Sequence, residues 1–156
     1  VWVAQDFYRV SIEVAQKLGK HALLLIGDKR NLPQTNLPDG VTAFDYAPHS
    51  LVMPRASVIV HQGGIGTTGQ ALRAGQPMLI VPFGQDQPDN ARRCVRLGVG
   101  RTLSPARFTV PRVVSELSEL LNNPTYREQA AKVGQEVGEE NGTKRACDAI
   151  EQVLQR

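Results

Sequence analysis

Short apolar runs alternate with longer amphipathic stretches along most of the chain. From Asp6 to Leu18 the apolar residues Phe7, Val10, Val14 and Leu18 recur at helical spacing, and Gly19 ends the pattern. Ala22-Leu23-Leu24-Leu25-Ile26 is continuously apolar and bounded by Gly27, the pattern of a strand covered on both faces in a parallel sheet. A loop rich in Pro, Asn and Asp leads to a second strand, Val41 to Phe44. Ser50 to Arg55 predicts a short helix limited by Pro54. Ser57 to Val60 predicts a third strand and Met78 to Val81 a fourth, closed by Pro82. Between them lie a glycine-rich turn and a helix from Thr67 to Ala74, stopped by Gly75. A helix from Pro88 to Leu97 ends at Gly98, and a short strand from Gly100 to Leu103 follows. Thr109 is placed to cap a helix with Pro111 in its first turn. Pro124 to Glu139 and Thr143 to Leu154 predict two more helices, separated by Gly142.

Alternating strands and helices predict an α/β fold, a Rossmann-like doubly wound parallel sheet with helices on both faces. The 156 residues suffice for one domain, residues 1–156, with no internal repeat and no interdomain linker. A doubly wound domain normally opens with a strand, whereas Val1-Trp2-Val3 is too short for a central one. The expectation is a sheet lacking its first strand, in a polypeptide that continues upstream.

Composition narrows the function classes. Apolar residues are 41% and charged residues 21% of the chain, near globular averages, so disorder is excluded. The longest apolar run, Ala22 to Ile26, is far shorter than the roughly 20 residues that span a bilayer. No signal peptide is visible. The net charge of +3 is small, and Arg92, Arg93 and Arg96, like Lys144 and Arg145, read as exposed helix faces. With 5% aromatic residues, stacking platforms for nucleic acid are not expected. Cys94 and Cys147 have no metal-ligand spacing; two buried thiols in a reducing, cytoplasmic setting are expected, and a disulfide between them stays open.

The chemistry concentrates after the third strand, in His61-Gln62-Gly63-Gly64-Ile65-Gly66-Thr67-Thr68. Glycines between a buried strand and a helix let a diphosphate approach the backbone. Free N–H groups and the positive end of the helix then face its charge. Four glycines in the seven residues from Gly63 to Gly69 exceed what a plain turn needs, which favours phosphate binding over a capped turn. His61, at the C-terminal end of a central strand, is placed to meet a phosphate oxygen, protonated or as a neutral donor. Asp86 and Gln87 follow the fourth strand on the same rim and offer acceptors and donors for sugar hydroxyls, where a polar helix cap is the plainer alternative. Tyr46 ends the second strand; stacking on a base and simple half-burial are equally compatible with its pattern. No cluster of carboxylates or histidines stands near the glycine loop, so neither a metal nor another cofactor is expected.

Gly64-x-Gly66-x-x-Gly69, with Asp86 twenty residues after Gly66, also matches a dinucleotide fingerprint. That fingerprint belongs to the first strand–helix turn of its domain, and here two strands precede it. The dinucleotide module of an oxidoreductase therefore ranks below diphosphate binding.

The stretch from Asp45 to Asn90 resembles the donor-binding, C-terminal half of the family-1 GT-B glycosyltransferases. The resemblance rests on Tyr46-Ala47-Pro48-His49, on His61 to Thr68, on Gly75-Gln76-Pro77, and on Pro82-Phe83-Gly84-Gln85-Asp86-Gln87-Pro88-Asp89-Asn90, in that order and spacing. It implies a domain that binds a UDP- or dTDP-sugar for a metal-independent, inverting transfer to a small-molecule acceptor. Tyr46 would stack on the base, and the backbone of Ala47 would read its edge. His61 would contact a phosphate. Gly64, Gly66, Thr67 and Thr68 would hold the diphosphate, with Gly63 beside them in the donor site, and Asp86 and Gln87 would hold the sugar. His49 stands in the donor site where the family usually carries Gln, and Gln62 where bacterial members often carry a second His. Gly69 occupies the place of a ribose-binding Glu of plant members, leaving the ribose to other atoms such as Gln70. The general base and the acceptor pocket are expected in an N-terminal domain beyond this chain, which alone would transfer sugar poorly or not at all. A stand-alone donor subunit of a two-component UDP-GlcNAc transferase, paired with a membrane-bound acceptor subunit, is the other reading of the same motifs.

Overall fold

The computed structural model describes residues 4–31 and 36–154. Helix α1 (Ala4–Leu18) precedes strand β1 (Ala22–Leu25), and β2 (Val41–Phe44) follows after a loop. Short α2 (His49–Val52) continues as a 3₁₀ turn, Met53–Arg55, into β3 (Ile59–His61). Then come α3 (Ile65–Arg73), β4 (Met78–Ile80), α4 (Gln87–Arg96) and β5 (Gly100–Thr102). Three helices end the chain: α5 (Val110–Asn122), α6 (Pro124–Glu139) and α7 (Gly142–Leu154). The elements expected from apolar spacing all form. The opening Val1-Trp2-Val3 segment lies outside the described residues.

Among the described residues every strand pairing is parallel. β1 and β2 pair from Ala22↔Val41 to Leu25↔Phe44, and β4 lies between β3 and β5, with Leu79 opposite both Val60 and Arg101. Among the described residues no ladder joins the two sets.

β4 is the innermost element, with Met78, Leu79, Ile80 and Val81 all at 0% exposure. Because side chains alternate along a strand, its two faces feed two cores. Met78 and Ile80 pack with Ala71, Ala91, Cys94, Ala130 and Val133, so α3, α4 and α6 cover one face. Leu79 packs with Val10, Val14, Val113, Leu117 and Leu120, so α1 and α5 cover the other. This is the doubly wound arrangement expected from the alternation of elements. Two close approaches fix it. A Cβ on Gly134 of α6 would lie 2.6 Å from the Gly75 Cα that ends α3, and a Cβ on Gly100 would lie 2.5 Å from the Met78 carbonyl oxygen. Arg101 ties β5 to Glu116 of α5 and, at 2.9 Å, to the Tyr126 hydroxyl of α6.

Three expectations change. β1 is covered on one face only: Leu24 and Ile26 pack with Ile12 and Ala15 of α1, while Leu23 is 44% exposed. Cys147 is exposed on α7, and both cysteines are free thiols, so only Cys94 is a buried one. Thr109 precedes α5 but its side chain makes no cap bond.

Candidate functional site

In parallel strands all C-terminal ends lie at one rim, where ligands of open α/β sheets bind. β3 and β4 deliver the glycine loop and the Pro82–Gln87 loop to that rim. The segment after β2 packs against the same elements, since Met53 shares a core with Ile59 and Ala71.

His61 is the last residue of β3 and is 6% exposed. The Gly63 N–H donates to its Nδ1 at 3.1 Å, so the imidazole proton resides on Nε2. Nε2 is buried and, among the described residues, has no hydrogen-bond partner. Burial, and secondarily the charge of nearby His49, lower the His61 pKa to about 4. Of the two states considered for His61, the neutral one is therefore present at neutral pH: a buried N–H donor of fixed tautomer.

The loop is shorter than its glycines suggest. α3 begins at Ile65 with Gly64 at the N-cap, so Gly66, Thr67, Thr68 and Gly69 are helical. The glycines do different jobs. Gly63 has φ +91°, and a Cβ there would meet Ile80 Cγ2 at 2.8 Å and the Gln87 carbonyl oxygen at 3.2 Å. Gly63 thus lets the loop seat on β4 and α4. At Gly66 a Cβ would meet nothing within 4 Å. Its bareness serves no packing inside the domain and leaves open the surface over the first turn of α3. In that turn the N–H groups of Ile65, Gly66 and Thr67 precede the first intrahelical bond, which Thr68 makes to the Gly64 carbonyl at 2.9 Å.

The two threonines differ as well. Thr68 is 3% exposed, and its hydroxyl donates to the same Gly64 carbonyl at 2.9 Å. It shapes the turn from inside. Thr67 is half-buried. Tyr46 is 78% exposed, a free aromatic face at the rim. Ala47 and His49 beside it are half-buried.

On the neighbouring loop, Asp86 occupies the N-cap position of α4 without capping it. Its carboxylate Oδ2 instead accepts from Asn90 Nδ2 at 2.8 Å. Asn90 Nδ2 also donates to the Gly63 carbonyl at 2.9 Å. Gln87 turns its amide oxygen to the loop, accepting from Phe83 N–H at 2.8 Å and Gly84 N–H at 3.4 Å. That leaves its NH₂ group as the donor available to a ligand. Asn90 and the internal role of Thr68 had no assignment from sequence. The Asp86–Asn90 spacing of four residues on a helix was the available signal, since such side chains are neighbours. Among the described residues no group of three His, Cys, Asp or Glu side chains is disposed to hold a metal ion.

The family model described as erythromycin biosynthesis protein CIII-like, C-terminal domain, matches residues 12–150. The chain belongs to this family. The O-mycaminosyltylonolide 6-deoxyallosyltransferase of Streptomyces fradiae is 33% identical over 139 residues, covering 88% of this chain and 32% of that protein. A crystal structure of the kitacinnamycin glycosyltransferase superposes with a TM-score of 0.85 at 33% identity, over 94% of this chain and 39% of that one. The glycosyltransferase VinC in complex with dTDP superposes with a TM-score of 0.72 at 30% identity, over 78% of this chain and 31% of its own. The EryCIII-like chain thus spans between about a third and two fifths of the length of these relatives. Membership agrees with the family-1 resemblance of the motifs. It weighs against the dinucleotide reading, in which the third glycine serves close helix–strand packing, whereas a Cβ on Gly69 would meet nothing within 4 Å. Among the described residues no helix is long and apolar enough to cross a membrane.

Proposed function

We propose that this EryCIII-like domain binds a nucleoside-diphosphate sugar, a dTDP- or UDP-sugar, as the donor half of an inverting glycosyltransferase acting on a small-molecule acceptor. The observation that carries this reading is the buried, unpartnered Nε2–H of His61 beside the bare first turn of α3. A buried donor without a partner costs about 1–3 kcal/mol. A phosphate oxygen brought to it would remove that cost. The dTDP in the VinC complex makes dTDP the first nucleotide to try.

In the transfer the acceptor oxygen attacks the anomeric carbon from the face opposite the diphosphate. The carbon–oxygen bond breaks, and its electron pair stays on the departing phosphate oxygen. Donors already in place where that charge grows lower the barrier without reorganisation. Here those donors are the free N–H groups of α3, the helix dipole and the neutral His61 N–H. No metal ion enters the proposal. The base that takes the acceptor proton lies outside these 156 residues, so the isolated chain binds donor without turning it over. Tyr46 stacks on the base, and Asp86 with the Gln87 NH₂ holds sugar hydroxyls.

Calorimetry with dTDP, UDP and NAD tests the reading. Saturable binding of a nucleoside diphosphate, at 1:1 stoichiometry and tighter than NAD, supports it. Binding of NAD with no response to either diphosphate contradicts it.

A further inference from the structure

Asn90 lies on α4, one turn beyond Asp86, and its side chain is half-buried. Its single NH₂ group donates to two acceptors on different loops: the Gly63 carbonyl at 2.9 Å and Asp86 Oδ2 at 2.8 Å. One acceptor belongs to the glycine loop that precedes the diphosphate-facing turn. The other is the carboxylate assigned to the sugar. Asp86 itself is exposed and forms no cap bond, so among the described residues it is the bond from Asn90 that orients its carboxylate. The Gly63 carbonyl in turn cannot drift far. Its residue is seated on Ile80 and Gln87 at φ +91°, and its N–H is bonded to His61.

We propose that Asn90 is a positioning residue. It aligns the Asp86 carboxylate for the donor sugar and fixes it relative to the loop that receives the diphosphate. This rests on the donor-binding reading above and adds to it a residue expected to touch no ligand. Bonding Oδ2 from the side leaves Oδ1 and the second lone pair of Oδ2 to accept from sugar hydroxyls. Without Asn90 the carboxylate rotates freely, and the entropy of ordering it falls on sugar binding.

The test reads the sugar increment, the ratio of the Kd of the bare nucleoside diphosphate to that of the nucleotide sugar. Loosening of the glycine loop weakens both ligands and cancels in this ratio, which a purely structural role would leave unmoved. The probes are dTDP with dTDP-glucose and UDP with UDP-glucose, titrated into the wild-type chain, Asp86→Ala, Asn90→Ala and the double variant, with thermal unfolding run alongside. Asp86→Ala is expected to lower the increment about tenfold, as for a lost hydrogen bond to a charged group. Asn90→Ala is expected to lower it severalfold. In the Asp86→Ala background, Asn90→Ala should leave it unchanged, because coupled residues are not additive. An increment that falls with Asp86→Ala but keeps its wild-type value in Asn90→Ala overturns this inference alone. So do losses that add in the double variant. A wild-type chain that binds neither diphosphate overturns the donor reading itself. One with no increment, or one untouched by Asp86→Ala, removes Asp86 from the sugar and Asn90 with it.

Discussion

The Gly63 N–H donates to Nδ1 of His61 at 3.1 Å, and that one bond decides which imidazole nitrogen carries the proton. The strand end, the left-handed glycine and the buried Nε2 donor form one unit. Replacing His61 by Ala removes the donor and frees the Gly63 N–H. Both dTDP and a dTDP-sugar should then lose affinity equally, by about 1–2 kcal/mol each, since both carry the diphosphate. Calorimetry on the two ligands checks this. A loss confined to the sugar donor would remove His61 from the phosphates.

The same burial has a pH signature. His61 titrates near 4 in the folded chain, below the ordinary histidine value of 6.5. Between these values the unfolded chain binds the proton and the folded chain does not, so stability falls as pH drops from about 6.5 toward 4. The full effect is about 3 kcal/mol at most, at 1.36 kcal/mol per pKa unit. Urea unfolding at pH 7 and pH 4.5 should show a smaller acid loss for His61→Gln than for wild type. Equal losses would mean that His61 is protonated in the fold.

Gly63 and Gly66 should respond in opposite ways to the same substitution. Gly63→Ala forces φ +91° on a side chain that meets Ile80 and a main-chain oxygen. It should destabilise the domain by about 1–3 kcal/mol. Gly66→Ala sits in α3 with open space around it. It should stabilise the helix by roughly 0.5–1 kcal/mol while lowering dTDP affinity. Thermal unfolding and dTDP titration of both variants separate the roles. A Gly66→Ala domain with wild-type dTDP affinity would place the diphosphate elsewhere.

Donor binding should be indifferent to chelation. The groups proposed to meet the diphosphate are N–H donors and a helix start, which bind an anion with no cation between them. dTDP affinity measured in EDTA and in excess magnesium should agree within about twofold, a difference under 0.5 kcal/mol. Affinity that vanishes in EDTA and returns with magnesium would call for a bridging ion.

Much of this was legible in the sequence, and the exceptions have physical causes. The run Met78 to Val81 reads as a strand buried on both faces, and all of it is buried. The run Ala22 to Ile26 has the same pattern yet leaves Leu23 exposed. An apolar run records that a strand can be covered, and not which neighbours cover it. The sequence predicts this helix from Thr67 because Gly66 has low helix propensity, whereas α3 starts two residues earlier, with its cap at Gly64 and the packing of Ala71 overriding that propensity. Position alone gave Thr67 and Thr68 the same role. A shift of one residue around a helix turns Thr68 inward and leaves Thr67 at the surface. The bond from Asn90 to the Gly63 carbonyl spans 27 residues of sequence, which no local pattern encodes.

The central claim is that a neutral imidazole donor and the first turn of α3 together receive a diphosphate. Nitrogen-15 NMR of the labelled chain at pH 7, before and after dTDP, tests it most directly. His61 should show an unprotonated Nδ1 and a protonated Nε2 in both states. On addition of dTDP, shifts should concentrate at Nε2 and at the amides of Ile65, Gly66 and Thr67. A doubly protonated His61 in the complex, or saturation by dTDP that leaves Nε2 and these amides unmoved, would contradict it.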